Sequence, residues 1–563
     1  MDCVGGLKRT LKERSAWASR SPKRATDCDD QPVDFAPIPV IQLSGQGLES
    51  GHCETKRAGN VRRRMTQELS SQLAWSHINA AGATKSLTQF ADCVNVDRER
   101  PVHETVRAMR HTPSPTVLCF VMAAAAVTSS AAGAARLKTI YTFTGGADGA
   151  EPYNALIAGP QGSLIGNTAY GGTASAPAGW GTVFQLLPPA NGQSSWTLST
   201  LYAFTDQADG ASPGGMVSDT SGAVYGTAQQ GGTFNGNCIV SNGADYGCGT
   251  VFKLTPPGGG QSAWQYSVLY AFNGSGDGYL PGGLAIDATG ALYGVTSLGG
   301  TTGQNCPVGC GTVFKLTPPA MGQNVWTKTI LYAFQSDADG DYPNGQLLLS
   351  GGNIFGNTFL GGAMSKACTG FSNGCGLVFE LIPPAKGKTA WTKKTILAFK
   401  GHNGSYPGYE GLAMDAAGNL FGSTELGGKL NACVDGAYEG CGVAYELTPP
   451  PKGDKAWTDT VIYAFKNGRD GSAPVGPPVP FSSNDYMTTS GDEVKTFGSI
   501  VELVPPGNGH TAWTEKPVFV FTGDQNGGAP YGTLLPQGSA LYGSTAGIGS
   551  GPAPWGTIFE FQP

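Results

Sequence analysis

The chain has 563 residues and a formal net charge of −6; 86 residues are Gly and only 13% are charged. That balance describes many tight turns and few solvated helices. The 40% hydrophobic and 10% aromatic content is enough for a packed core and excludes a disordered glycine-rich polymer. A mildly acidic chain gives no reason to expect nucleic acid as a partner.

In chain order, residues 1–108 carry 16 Lys+Arg against 13 Asp+Glu, a balance of +3 that leaves −9 for the rest. They show neither a repeat nor a sustained period and read as an unstructured leader from a start assigned too far upstream, with translation expected to begin at Met109. Met109-Arg110-His111 precedes an uncharged run, Thr116–Ala135, whose apolar block is Val117–Val127 and whose end is Ala132-Gly133-Ala134. A basic start, an apolar stretch and an Ala-x-Ala end are the three parts of a secretory signal. Residues 109–135 are therefore read as a signal peptide cleaved near Ala134. A signal-anchor helix is the competing reading, since about twenty uncharged residues just span a bilayer. Its Ala-rich second half makes that span a weak one, so the mature form is expected to carry no membrane span.

Residues 136–563 are organised by one stretch, Gly311-Thr312-Val313-Phe314-Lys315-Leu316-Thr317-Pro318-Pro319, written with variations from Gly181, Gly249, Gly311, Gly376, Gly442, Gly498 and Gly556. Gly opens each copy, β-branched and aromatic residues carry it, and a Pro ends it, which is a strand with punctuation. Units of about 55–70 residues have the period of propeller blades. One unit reads as strand A at 282–287, B at 291–296, C at the repeated stretch and D at 326–334. Strands of type D start at Trp196, Trp264, Trp326, Trp391, Trp457 and Trp513. A seventh, Leu137–Phe143, stands alone at the front, whereas the last unit has A, B and C but no D. The expected fold is all-β: a seven-bladed β-propeller with four antiparallel strands per blade, its ring closed by strand 137–143 joining the C-terminal blade.

The combination Asp277-Gly278, Leu292-Tyr293-Gly294-Val295-Thr296, Gly299-Gly300 and Gly311–Leu316 resembles the tandem-repeat proteins carrying the so-called GloVer repeat. The resemblance extends over nearly everything after Leu137 and implies exported, propeller-like bacterial proteins, often with a C-terminal sorting anchor. On this point the chain is expected to depart from the resemblance, without such a tail after Pro563. The resemblance brings no activity and no catalytic residues.

Eight cysteines pair by position: Cys238/Cys248, Cys306/Cys310, Cys368/Cys375 and Cys433/Cys441, each pair within one B-to-C loop. Four local disulfides in an oxidising compartment are expected, and a metal site is disfavoured because each loop offers only two thiols. Trp180, Phe497 and Trp555 take the second cysteine's place in the other blades, where packing is expected to replace the tie. All seven turns before strand A follow Asp/Asn-Gly-x-x-Pro, from Asp148, Asp209, Asp277, Asp339, Asn403, Asp470 and Asn526. Such residues form turns by bonding their own backbone. They are also a candidate ligand-binding ring, on the face expected to carry the disulfide loops. Asp337, Asp339 and Asp341 have alternate-carboxylate spacing that could hold calcium; no other cofactor is expected. Blade 6 breaks the pattern, with Asp485-Tyr486-Met487-Thr488-Thr489 where the other blades have Leu-Tyr-Gly-x-Thr or a close variant.

No acid, base and nucleophile set emerges, so no catalytic residue is named. The expected function is a secreted or cell-envelope, monomeric binding scaffold for a glycan or an extracellular protein. The alternative is a metal-assisted polysaccharide hydrolase or lyase using carboxylates near the central channel.

Overall fold

The computed structural model describes residues 135–563 apart from 173–178, 239–244, 259–262, 304–305, 366–367, 369–373, 436–437, 453, 492–495, 508–511 and 548–552. The expected leader, residues 1–108, and, but for residue 135, the expected signal peptide, residues 109–135, lie outside the described residues. No helix among those described is long and apolar enough to cross a membrane.

Seven antiparallel sheets make the seven blades, at 157–203, 211–271, 279–333, 341–398, 405–464, 479–520, and 535–562 together with 136–142. In blade 3 the strands are Tyr279–Ile286, Leu292–Leu298, Thr312–Thr317 and Thr327–Ala333, in that spatial order. Alternation along them is weak because both faces of each sheet pack on neighbouring blades. Strand C of blade 3 is buried at every position but Lys315 and Thr317.

The closing strand is Arg136–Thr142, paired with Thr557–Gln562 from Arg136 opposite Gln562 to Thr142 opposite Thr557. Its ladder slips by one residue at Ile140, between Thr139 and Tyr141. The C–D ladders of the other six blades slip at the equivalent place, for instance between Val313 and Phe314. The front strand thus reproduces the bulge of an ordinary D strand as well as its position. A second closure lies deeper, where Ser544 Oγ of blade 7 donates to Asn154 O of blade 1 at 3.4 Å.

Seven buried apolar clusters fill the seven blade interfaces. Six of the seven interfaces are built around the Phe ending strand D, packed against the aromatic of the next blade's strand C, as in the edge-on pairs Phe272–Phe314 at 5.3 Å and Phe399–Tyr445 at 5.2 Å. Full burial of such a ring contributes about 1.5–3 kcal/mol. The D-strand Trp residues pack between blades too: Trp196 meets Tyr542 of blade 7, and Trp326 meets Tyr225 of blade 2. The Gly that six of the seven B strands carry makes room for this core, since a Cβ on Gly294 would lie 2.7 Å from Phe314 Cζ.

The position written x in Leu-Tyr-Gly-x-Thr is a latch between blades. Asn167, Thr227, Asn357, Ser423, Thr488 and Ser544 each donate to a backbone carbonyl in or beside the A strand of the following blade, as Asn357 Nδ2 does to Gly408 O at 3.0 Å. Blade 3 has Val295 there, and Ser297 two residues on donates to Pro343 O instead.

All four expected disulfides are formed: Cys238–Cys248, Cys306–Cys310, Cys368–Cys375 and Cys433–Cys441. Their place differs from what a loop position implies. Cys248, Cys310, Cys375 and Cys441, each just before a strand C Gly, are fully buried. Cys248 joins the blade 2–3 cluster and Cys441 the blade 5–6 cluster. Asn235 Oδ1 lies 3.9 Å from the Cys248 sulfur, a packing contact, because a disulfide sulfur carries no proton to donate. The bridges thus anchor the loop bases in the core, with Cys433 alone of the eight cysteines partly exposed. Of the residues standing in for the second cysteine, Phe497 and Trp555 pack against interface clusters. Trp180 is 41% exposed, so in blade 1 packing replaces the covalent tie only in part.

Candidate functional site

The D-to-A turns and the B-to-C loops share one face. Backbone bonds tie them within a blade: Gly172 N–H to Gly146 O, Gly232 to Gln207, Gly300 to Ser275, Gly362 to Asp337 and Gly428 to Gly401. This is the disulfide-loop face.

On it, the turn residues are engaged locally. Asp148, Asp209, Asp277, Asp339 and Asp470 each accept from the phenol of their own D strand and from the amide four residues earlier, as Asp339 does from Tyr332 (2.7 Å) and Gln335 N–H (2.9 Å). Asn403 accepts from Lys400 N–H, and Asn526 N–H donates to Asp524. Burial, with the neighbouring carboxylate second, pushes the Tyr141 and Tyr463 phenols up.

Five of the seven turns also meet the third residue of the next blade's D strand. Lys328 reaches Asp277 at 2.8 Å and Lys393 reaches Asp339 at 3.1 Å, both ammonium groups nearly buried. Tyr266 donates to Asp209 O, and Asn403 donates to Asp459 at 2.7 Å. In blade 6 the pair is two acids, Asp470 and Glu515, and burial followed by Asp470 pushes Glu515 up. The turn residues therefore act first as rivets between neighbouring blades.

Asp337, Asp339 and Asp341 do not converge. Asp341 is buried beside the Cys306 and Cys310 sulfurs, the only grouping of ligand-type atoms within 4.8 Å of one another among the described residues. Those sulfurs are joined in a disulfide and offer no thiolate. Asp339 is held by Tyr332, Gln335 and Lys393.

The residue before each turn's Pro has positive φ in all seven blades: Glu151, Ser212, Leu280, Tyr342, Tyr406, Ala473 and Ala529, at 50–59°. Six of them donate their N–H to the carbonyl of the residue before the preceding blade's strand C Gly, as Tyr406 does to Cys375 O at 2.9 Å and Ala473 to Cys441 O at 3.0 Å. Left-handed non-glycine backbone costs of order 1 kcal/mol or more per residue and persists only where its surroundings dictate it. Here it turns the chain inward to start strand A beside the axis.

Strand A then decides what fills the channel. Between its Pro and its buried Leu or Met, blades 2 and 3 place two glycines, Gly214-Gly215 and Gly282-Gly283, whereas blade 5 places Gly408-Tyr409-Glu410-Gly411. The two extra residues split the blade 5 strand into Ser405–Pro407 and Ala413–Met414 and swing Tyr409 and Glu410 to the axis. Some of their neighbours come from non-adjacent blades. The Glu410 carboxylate accepts from Ala155 N–H of blade 1, and Tyr409 is coupled to Tyr531 of blade 7 as well as to Glu425 and Tyr342.

The result is an aromatic and acidic axial mouth. Tyr153 meets Tyr531 edge-on at 5.1 Å and bonds Glu151 at 2.7 Å; Tyr409 stacks on Phe359 at 5.4 Å. Tyr409 is 41% exposed although protein surrounds it, which places its open surface in an enclosed space. Burial pushes Glu410 and Glu425 each up to about 8 and raises the Tyr153 and Tyr409 phenols. Sequence reasoning missed this set. The signal available was the unequal spacing between each turn's Pro and the following buried apolar residue.

The Gloeobacter/Verrucomicrobia repeat matches residues 235–434. No curated protein matches. Among solved structures, the chain is similar to the PQQ-bound aldose sugar dehydrogenase of Streptomyces coelicolor, at 13% identity and TM-score 0.36 over 62% of this chain and 93% of that one. A putative oxidoreductase (glucose dehydrogenase) of Thermus thermophilus matches at 13% identity and TM-score 0.34, over 76% of this chain and 99% of that one. The extracellular domain of a putative one-component system from B. thetaiotaomicron matches at 10% and TM-score 0.41, over 76% and 42%.

Proposed function

We propose that this chain, a propeller carrying the Gloeobacter/Verrucomicrobia repeat, is an exported binding protein that takes a carbohydrate at the axial mouth of its disulfide-loop face. The observation that carries the reading is the convergence of Tyr153, Tyr409 and Tyr531, from blades 1, 5 and 7, beside Glu151 and Glu425. Aromatic walls with a few placed polar groups are what an orienting small-ligand site needs. Rigid blades behind them limit the entropy lost on binding. Four disulfides support an oxidising compartment, outside the cell or in its envelope.

Glycan-array binding by the purified protein tests this, with Tyr409→Ala and Tyr531→Ala as controls. Selective binding lost in both variants is expected; binding unaffected by either, or none across a broad panel, overturns it.

Glu410 and Glu425 favour a second reading, a polysaccharide hydrolase or lyase. Two channel carboxyls held protonated at neutral pH have the state a general acid requires. Release of reducing or unsaturated ends from a bound polysaccharide, abolished by Glu425→Gln and tested with and without chelator, would establish it.

A further inference from the structure

We propose that the Cys306–Cys310 bridge is a thiol–disulfide exchange site, where Asp341 takes the proton of the Cys310 thiol and an external dithiol is the reaction partner. This is a further activity, separate from whatever the axial mouth binds.

The four bridges stand at equivalent places, and one of them has an acid beside it. In the blade that follows each bridge, the residue after the turn Gly is Tyr279, Asp341, Ser405 and Ser472 for the bridges of blades 2 to 5. Tyr342 N–H donates to Cys310 O at 3.2 Å, which holds its neighbour Asp341 against the blade 3 bridge. A carboxylate oxygen of Asp341 and the Cys306 and Cys310 sulfurs all lie within 4.8 Å of one another, and all three residues are buried. The thiolate, not the thiol, is the nucleophile in disulfide chemistry. A carboxylate at this place is a base that can produce it.

The two sulfurs are placed for different parts. Cys310 is fully buried and fixed on both sides, its N–H on Thr301 O at 3.0 Å and its carbonyl on Tyr342. Cys306 is 4% exposed and precedes the exposed Pro307 and Val308. Gly303, whose Cβ would stand 3.2 Å from the Cys306 sulfur, has no side chain to screen it. Cys306 is thus the sulfur that an outside thiolate reaches, and Cys310 the one that closes the bridge. The two are four positions apart, against ten, seven and eight in the other bridges. Opening frees three residues and takes nothing from the ladder of Leu292–Thr296 on Thr312–Leu316. The two thiols stay close, so each meets the other at high effective concentration.

In the closing direction the Cys306 sulfur is bonded to one sulfur of the partner. Asp341 takes the Cys310 proton, and the Cys310 thiolate attacks the Cys306 sulfur. The bond to the partner breaks, its electron pair leaves on the partner's sulfur, and that thiolate takes a proton from water while Asp341 returns its own. The two cysteines are oxidised and the partner is reduced. Opening runs the same path backwards: Cys310 leaves with the proton of Asp341, and the partner's second thiol then releases Cys306 as the partner's own disulfide closes.

The test treats the native full chain with limiting dithiothreitol, traps free thiols with N-ethylmaleimide and maps them by peptide mass. Cys306 and Cys310 are expected to be labelled at least tenfold faster than the cysteines of the other three bridges. Oxidised glutathione added to the opened bridge should close it again in the parent with no lasting adduct. Asp341→Asn, and Asp341→Ser with the residue of blades 4 and 5, are expected to slow closure at least tenfold and to accumulate glutathione on Cys306. A purely structural role for Asp341 would not leave that adduct. Another bridge opening first, an adduct on Cys310, or equal closure in the parent and both variants each overturns the proposal. The order of opening is read in the parent alone, so it decides even if neither variant folds.

Discussion

Met487 in strand B of blade 6 lies directly opposite Val501 in strand C, where each of the other six blades sets Gly against Phe or Tyr, from Gly166 opposite Phe184 to Gly543 opposite Phe559. The exchange moves bulk from one strand to its partner and leaves the blade 5–6 core filled, with Phe465 in the same cluster as both. Blade 6 departs from the repeat by a compensated swap rather than by loss of packing.

Val501→Phe alone overfills that core and is expected to cost about 1–3 kcal/mol. Met487→Gly alone leaves a cavity and is expected to cost about 2–5 kcal/mol. The double variant restores the pair of the other blades and should recover most of both losses. Denaturant melts of the four proteins give the coupling energy; a value near zero would show that the two residues do not share a space.

Lys328 is 5% exposed and paired with Asp277. Asp277→Ala strands its ammonium among aromatic rings, and removing one partner of such a pair costs about 3–5 kcal/mol. Lys328→Leu installs the residue that blades 1 and 7 carry there, Leu198 and Leu137, and is expected to stay within about 1 kcal/mol of the parent. Thermal melts that show equal losses would contradict this asymmetry.

Deleting Arg136–Phe143 uncovers the edge of Thr557–Gln562 and the face that Phe143 buries against Phe184. Exposed edges recruit other strands, so the truncated protein should self-associate on size-exclusion chromatography. A peptide of residues 136–143 added in trans should return it to a single monomeric peak.

Glu410 has an ordinary value of 4.5 and a folded value of about 8, raised by burial. The folded state therefore keeps a proton that the unfolded chain gives up between those values. The stability this contributes is complete at the acidic end and is lost as pH rises through the window. Glu425 acts in the same direction. Glu410→Gln stays neutral throughout, so its melting temperature should fall less between about pH 5 and pH 8 than that of the parent. Parallel profiles would mean that Glu410 is already ionised in the fold.

Much of this was legible because the chain repeats itself. The repeated Gly-Thr-Val-Phe stretch located every C strand, and the surplus D strand at the front implied the clasp that Arg136 and Gln562 make. The cysteine pairs were readable from their shared loop position. That Cys248 and Cys441 sit in the interface cores was not, since a turn-rich loop gives no sign of which of its residues fold inward. The axial mouth was also hidden, because it arises where the repeat fails. Tyr409 and Glu410 occupy two inserted residues that look like loop, and their partners Tyr531 and Ala155 lie far away in sequence. The turn acids drew attention by recurring in every copy, but recurrence at one structural position marks a shared mechanical duty, here the bond to Tyr332 and its counterparts.

The clasp also sets a timetable. Because residues 136–142 find their partner only in 557–562, six blades can form before the seventh sheet has its fourth strand. The ring stays open until residues 557–562 have been made, and long-range pairing of this kind is slow. A chain obliged to wait in that state stays unlocked, with one sheet edge uncovered, until that pairing forms.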